Sequence, residues 1–165
     1  MKKLAKPPSK RSVSDDLYDQ PGHLLRRAHQ IATGMFSEEV GKDITSKEFA
    51  ILRMIHEKPG IDQVSLSRLI GIDTSSSALT AARLEKRNLI TRVVSTEARS
   101  LLNLKLTATG VTLLESTLSG VHKMRERMMA TLTEKEQEIF MQLLRKFVHL
   151  NNEESRAPVW SSDRK

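Results

Sequence analysis

The sequence predicts a mainly α-helical chain that carries one small β-hairpin, and three observations lead to this fold class. Apolar residues recur at helical spacing over most of the stretch between residues 24 and 150. Two short apolar or alternating segments, 89–95 and 101–107, interrupt the helices and are spaced as the strands of a hairpin. Hydrophobic residues make up 38% of the chain but aromatic residues only 4%, so an aliphatic core is expected, which favours helices.

The first two helices are indicated by an apolar stripe and by a capping motif. We place the first helix within 17–41, and its stripe consists of Leu24, Leu25, Ala28, Ile31, Ala32, Met35 and Phe36. The second helix begins after Thr45, because a hydroxyl followed three residues later by Glu48 forms a capping box. Pro59 and Gly60 end it.

Two shorter helices and the hairpin follow. Asp62 can cap a third helix, Gly71 supplies a turn, and Asp73 can cap a fourth helix that reaches about Asn88. The second strand of the hairpin alternates well, with Leu104 on one face and its polar neighbours on the other. The stretch 45–107 therefore predicts two short helices joined by a glycine turn and followed directly by a hairpin.

Two long helices complete the predicted fold. One begins at Thr107 or Thr109, and the last is opened by a second capping box in which Thr133 is paired with Glu136. The apolar stripes of 17–41 and 108–150 offer more hydrophobic surface than a small domain can bury alone. We therefore expect these two regions to form a dimer interface.

Helices in this order followed by a hairpin are typical of a winged helix-turn-helix, which binds double-stranded DNA. The fourth helix would enter the major groove and the hairpin would reach the neighbouring backbone or minor groove. Hydroxyl and cationic side chains in these elements are suited to bases and phosphates. The expected DNA-contacting residues are Thr74, Ser75, Ser76, Ser77, Arg83, Lys86, Arg92 and Arg99.

Each of these assignments has a simpler alternative. The hydroxyl run could be a serine-rich loop, and Arg83 and Lys86 could form a solvated face paired with Glu85. Arg99 at the tip of the hairpin fits insertion into a minor groove, but it could also be solvated or paired with Glu97.

The same residues resemble the MarR family of bacterial regulators over roughly 17–150. The resemblance rests on 61–75, on the R-L-E-K-R-x-L motif that begins at Arg83, and on the L-T-x-x-G motif that ends at Gly110. The sequence departs from the family at two places. Glu97-x-Arg99 replaces the usual Asp-x-Arg of the hairpin, and Leu79 stands where the family commonly has an arginine.

The resemblance implies a homodimer of triangular outline that represses transcription from a palindromic operator. Half-sites would lie about one helical turn apart, roughly 34–36 Å. Residues 24–30 and 59–63 resemble a subgroup that controls aromatic catabolism, so release by an aromatic acid or its coenzyme A thioester is expected. The guanidinium groups would bind an anion beside an apolar wall, and the candidate residues are His23, Arg26, Arg27, Met35, Phe36 and Phe49.

Other functional classes have less support in the sequence. No metal-protease motif, phosphate loop or nucleophile elbow is present, so we expect neither an enzyme nor a cofactor. A zinc-responsive regulator remains an alternative, although the six-residue separation of His23 and His29 puts them on different helix faces. A further alternative is a protein-interaction module that has lost specific DNA binding, which Leu79 and the altered hairpin motif would allow.

Polar termini flank the predicted domain. The formal charge is +7, but five positive charges lie in the first eleven residues, so 1–16 reads as a disordered basic arm and the remaining charge is ordinary. Residues 151–165 read as a flexible tail, with Trp160 as an exception that packs back or stays free. Without an apolar signal region or a membrane span, we expect a cytoplasmic protein.

Overall fold

A computed structural model describes residues 17–94 and 102–159, and it confirms the predicted fold class. Eight regular elements follow one another along these residues, and a short 3₁₀ helix, Asn152–Glu154, comes after them. The elements are α1 (Pro21–Val40), α2 (Ser46–Glu57), α3 (Gln63–Ile70), α4 (Thr74–Lys86), β1 (Ile90–Val94), β2 (Leu102–Leu106), α5 (Ala108–Met129) and α6 (Glu134–Leu150).

The helix starts lie where the capping residues predict them. Thr45 accepts from the backbone N–H of Glu48 at 3.2 Å, and the Glu48 carboxylate accepts from the backbone N–H of Thr45 at 2.8 Å. Thr133 forms the same capping box at the start of α6, and Thr107, rather than Thr109, caps α5. The helix α4 ends two residues before Asn88, because that residue adopts a left-handed φ of 56°.

The hairpin is tied to the loop that precedes α3. Strands β1 and β2 pair antiparallel, with Ile90 opposite Leu106 and Val94 opposite Leu102. The backbone N–H of Gly60 donates to the Leu104 carbonyl, and the Leu104 N–H donates to the Ile61 carbonyl, both at 2.9 Å. The wing therefore emerges from a base that is fixed against the helix-turn-helix.

The hydrophobic core lies mainly between α2, α3, α4 and the hairpin. Its fully buried aliphatic residues include Ile51, Leu52, Ile55, Leu66, Leu84, Ile90 and Leu104. Gly110 at the start of α5 packs directly on the Leu89 carbonyl, which a Cβ at this position would overlap. Close approach at Gly110 thus joins the long helix to the base of the hairpin.

The helices α1 and α5 pack together and extend this core through Phe36 and Leu114. Gly120 on α5 lies against the backbone at Glu39, where there is no room for a Cβ. Arg127 on the same helix pairs with Glu38 at 2.6 Å and with Glu39 at 2.9 Å. Across the described ranges, none of the helices is both long and apolar enough to span a bilayer.

The helix α6 has no buried residue. Its large apolar side chains that remain exposed are Ile139, Phe140, Leu143, Phe147, Val148 and Leu150. The segment after α6, which we expected to be a flexible tail, is described as far as Val159. The Asn152 side chain exchanges two hydrogen bonds with the backbone of Val159, at 2.8 and 3.1 Å, and Val159 contacts Gly71 in the turn between α3 and α4.

Candidate nucleic-acid interface

Two aspartates position the pair of short helices. The Asp62 carboxylate accepts from the backbone N–H groups of Val64 and Ser65 at 2.9 Å, and Gly71 ends α3 in the left-handed conformation with φ 65°. Asp73 then accepts from the Ser76 N–H at 2.8 Å and starts α4. The hydrogen bond from the Ser76 backbone is the main reason that the pKa of Asp73 lies below its ordinary value.

One face of α4 is open to solvent along the whole helix. Its exposed side chains are Thr74, Ser75, Leu79, Arg83 and Lys86. Ser75, Leu79 and Arg83 follow one another at spacings of four residues, so they form a continuous stripe. This stripe begins at the helix N-terminus, where a helix-turn-helix meets base edges.

Ser77 does not lie on the exposed surface of α4 on which we expected it. Ser77 is fully buried, and its Oγ has no hydrogen-bond partner in the described parts of the chain. The reason is the phase of the helix, since Ser77 shares the buried face of α4 with Thr80, Ala81 and Leu84. Ser76 is half-buried, so the exposed hydroxyls of this run are those of Thr74 and Ser75.

The cations near α4 differ in their availability. Arg83 donates only a long, 3.4 Å hydrogen bond to Thr80, and no partner is recorded for Lys86 among the described residues. Arg92 donates to the Glu85 carboxylate at 2.7 Å, and this hydrogen bond is the main reason that the pKa of Glu85 is lowered. Glu85 therefore pairs with Arg92 and not with Arg83 or Lys86, which was the alternative left open by the sequence.

Two other arginines belong to this region of the sequence, Arg87 and Arg99. Arg87 lies close to these cations in sequence but binds the Asp43 carbonyl and Glu48, so it joins α4 to the start of α2. Arg99, like Glu97, lies outside the described residues. Its place at the tip of the wing therefore remains a prediction from the sequence.

The expected effector residues divide into two separate groups. His23, Arg26 and Arg27 lie at the start of α1, where Arg26 contacts His23 at 3.4 Å and Tyr18 stacks edge-on against the same ring. Met35 and Phe36 lie near the other end of α1, and the Phe36 ring packs 5.9 Å from that of Phe49 on α2. Ten helical residues rise about 15 Å along the axis, so Arg26 and the aromatic pair lie nearly three turns apart on α1.

Two open cavities lie elsewhere and contain none of these six residues. One, of about 330 Å³, lies between α5 and α6 beside His122 and Arg125. The other, of about 310 Å³, lies between α6 and Val159. As far as the structure describes the chain, no three His, Asp or Glu residues are grouped so that they could hold a metal ion.

Comparison with known proteins identifies similar regulators. Residues 44–99 match the MarR family. The transcriptional regulator HosA of Escherichia coli O127:H6 is 32% identical over 127 residues, which are 77% of this chain and 93% of that protein. The transcriptional repressor NicR of Pseudomonas putida is 27% identical over 134 residues, 81% of this chain and 85% of its own.

A solved structure extends the similarity to three dimensions. The transcriptional regulator PcaV from Streptomyces coelicolor, in complex with its natural ligand, superposes with a TM-score of 0.78 at 29% identity. The superposition covers 81% of this chain and 95% of PcaV.

Proposed function

The chain belongs to the MarR family of transcriptional regulators, and from this premise we propose that it is a dimeric repressor that reads a palindromic operator through α4. Its family and its relatives are transcriptional regulators and not enzymes. Repression is supported by the similarity to NicR, which is a transcriptional repressor. The observation that carries the proposal is the exposed stripe on α4, which begins at a capped helix N-terminus.

The assigned DNA contacts follow from exposure. Thr74 and Ser75 are offered to base edges, with Ser76 at the margin of the stripe. Arg83 and Lys86 would bind phosphates, because neither side chain forms an ion pair with a carboxylate among the described residues. Arg92 contributes less charge, since Glu85 already binds it. Arg99 would add a minor-groove or backbone contact from the wing, on the basis of the sequence alone.

Dimerisation is supported by the apolar side chains that one protomer leaves in water. They lie on α6 and in residues 17–31, in and just before the first half of α1, where Leu17, Tyr18, Leu24, Leu25 and Ile31 are all at least 42% exposed. A monomer rarely exposes large apolar side chains grouped in this way, whereas a subunit interface buries them. A two-fold dimer would present two copies of α4 to two half-sites of a palindrome.

A selection experiment tests the proposal. The purified protein is used to enrich duplexes from a randomised pool at moderate salt, and we expect a two-fold symmetric motif. Mass measurement in solution should give a dimer, and Leu143→Asp should shift it toward monomer and abolish tight binding. The neighbouring exposed substitution Gln142→Asp adds the same charge outside the apolar stripe and should leave the dimer intact. No enriched motif, or a monomer that binds tightly, would refute the proposal.

A regulatory ligand is a second part of the proposal. We infer that an aromatic acid, or its coenzyme A thioester, binds at the start of α1 and releases the operator. PcaV carries a natural ligand in its solved complex, which supports ligand control in a chain of this fold. Arg26, Arg27 and His23 would bind the anionic group, and a partner protomer would complete the site, because the aromatic pair Phe36 and Phe49 is too distant.

Thermal unfolding of the protein in the presence of a panel of aromatic acids and their coenzyme A thioesters tests whether such a compound binds. A compound at 100 times its Kd should stabilise the protein by about 2.7 kcal/mol. Arg26→Ala should bind the operator normally but respond weakly to the active compound. Equal release of the operator from the wild type and the variant would remove Arg26 from the site.

A further inference from the structure

Leu79 occupies the centre of the exposed stripe on α4. It lies in the second turn of the helix and 63% of its surface is exposed. Ser75 precedes it by one turn on the same face, Arg83 follows it by one turn, and the partly buried Ala78 and Ala82 flank it. A large apolar side chain thus stands in water at the position where the helix would meet base edges.

The N-terminal half of this surface offers no long hydrogen-bonding side chain. Residues 74–82 contain no Arg, Lys, Asn or Gln, which are the residues that make bidentate contacts with guanine or adenine. The Thr80 hydroxyl is buried and donates to the Ser76 carbonyl at 2.8 Å. In this half of the helix, Leu79 is therefore exposed together with only the short hydroxyl side chains of Thr74 and Ser75.

We propose that Leu79 is a specificity-determining residue that reads thymine by packing against its C5-methyl group. Among the four bases, only thymine presents a methyl group in the major groove, so apolar contact there distinguishes it from the others. The inference rests on the proposed reading of DNA by α4. Ala78 and Ala82 add methyl groups beside Leu79 and would help to exclude water from the contact.

Arg83 would hold Leu79 at a fixed position in the groove. It follows Leu79 on the exposed face and is bound only by the long hydrogen bond to Thr80, so its guanidinium can turn to a phosphate. A phosphate contact one turn away would fix how far α4 enters the groove. The bases opposite Leu79 would then be the same in every complex, which selection for thymine requires.

Replacing thymine by deoxyuridine removes the methyl group and changes no hydrogen bond. The probe is the tightest duplex selected by the wild-type protein from a random pool, with each thymine replaced in turn in both half-sites. At one position, we expect the wild type to lose about fourfold in affinity per methyl, or roughly 15-fold for the two half-sites together. Leu79→Ala should bind the thymine duplex more weakly and show little further loss with uracil.

Val93→Ala is the matched control, because Val93 is an apolar side chain of the same lobe with 58% exposure on the hairpin. This variant should keep the wild-type sensitivity to uracil. If no uracil substitution weakens the wild type, or if Leu79→Ala keeps the full sensitivity, the inference is overturned, while an enriched symmetric motif still supports the proposed function. If the wild type enriches no motif, the proposed function fails and the inference fails with it.

Discussion

Glu85 in the last turn of α4 binds Arg92 on β1, with the guanidinium Nε 2.7 Å from the carboxylate Oε2. The pair joins the recognition helix to the wing, which are the two elements expected to contact DNA. It also neutralises a cation that the sequence alone suggested was free for phosphate. The angle between helix and hairpin and the local charge therefore depend on the same interaction.

Removal of the Glu85 carboxylate should weaken the discrimination between operator and random DNA. Glu85→Ala releases Arg92 to phosphates, so binding to random duplex should tighten and its salt slope should rise by about one unit for each protomer of the dimer. Operator affinity should rise less, because the wing is no longer held. Glu138→Ala on α6 makes the same charge change away from α4 and should leave both measurements unchanged. Equal salt slopes for Glu85→Ala and the wild type would contradict this role.

Gly110→Ala should destabilise the protein strongly. A Cβ at this position overlaps the Leu89 carbonyl, and relief of the overlap requires the start of α5 to move away from the hairpin. Overpacking of this kind costs about 1–3 kcal/mol or more.

Gly34→Ala provides the comparison, because no atom lies within 4 Å of its added Cβ on α1. It should stabilise the helix by about 0.5–1 kcal/mol. Urea unfolding at one fixed protein concentration measures both changes. A Gly110→Ala protein as stable as the wild type would show that the close approach is unimportant.

Ser77→Ala should leave operator binding intact and preserve or increase stability. The Ser77 hydroxyl is buried and unpaired among the described residues, so its removal relieves the cost of an unsatisfied polar group, about 1–3 kcal/mol at most. Ser75→Ala, in contrast, should weaken operator binding with little effect on stability, because Ser75 is exposed on the stripe. Titration of each variant with operator DNA, together with thermal unfolding, separates the two. Weaker binding by Ser77→Ala than by Ser75→Ala would reverse our assignment.

Protonation of Asp62 should weaken the cap of α3 at low pH. Partial burial raises the pKa of this carboxyl, but hydrogen bonds from Ser65 and Val64 outweigh burial and leave the pKa below its ordinary value. The charged cap therefore stabilises the fold above the unfolded-state pKa of about 3.8, and this contribution is lost as pH falls through the lower folded-state pKa.

Asp62→Asn keeps a capping oxygen that does not titrate in this range. Between pH 6 and pH 2.5, the wild type should lose more of its free energy of unfolding than Asp62→Asn. Urea unfolding at the two pH values gives this difference. Parallel losses in both proteins would mean that Asp62 contributes nothing to the pH dependence.

Local chemistry accounts for what the sequence by itself determined. The caps at Thr45, Asp62, Asp73 and Thr133 were all predicted at the positions observed, because a capping side chain binds backbone groups within three residues of itself. The helical and alternating periodicities likewise predicted the order of the elements, and with it the winged helix-turn-helix, whereas the family followed from the resemblance of residues 61–75 and of the motifs that begin at Arg83 and end at Gly110.

Only the tertiary structure decided which of these residues can act together. Ser75 and Ser77 are both serines of the same hydroxyl run. Packing of α4 against the core sets the rotation of the helix, which buries Ser77 and leaves Ser75 exposed. The pairing of Arg92 with Glu85 and the position of Val159 beside Gly71 depend on where different elements lie in space. Such relationships arise from contacts between residues of different elements, and no local pattern in the sequence encodes them.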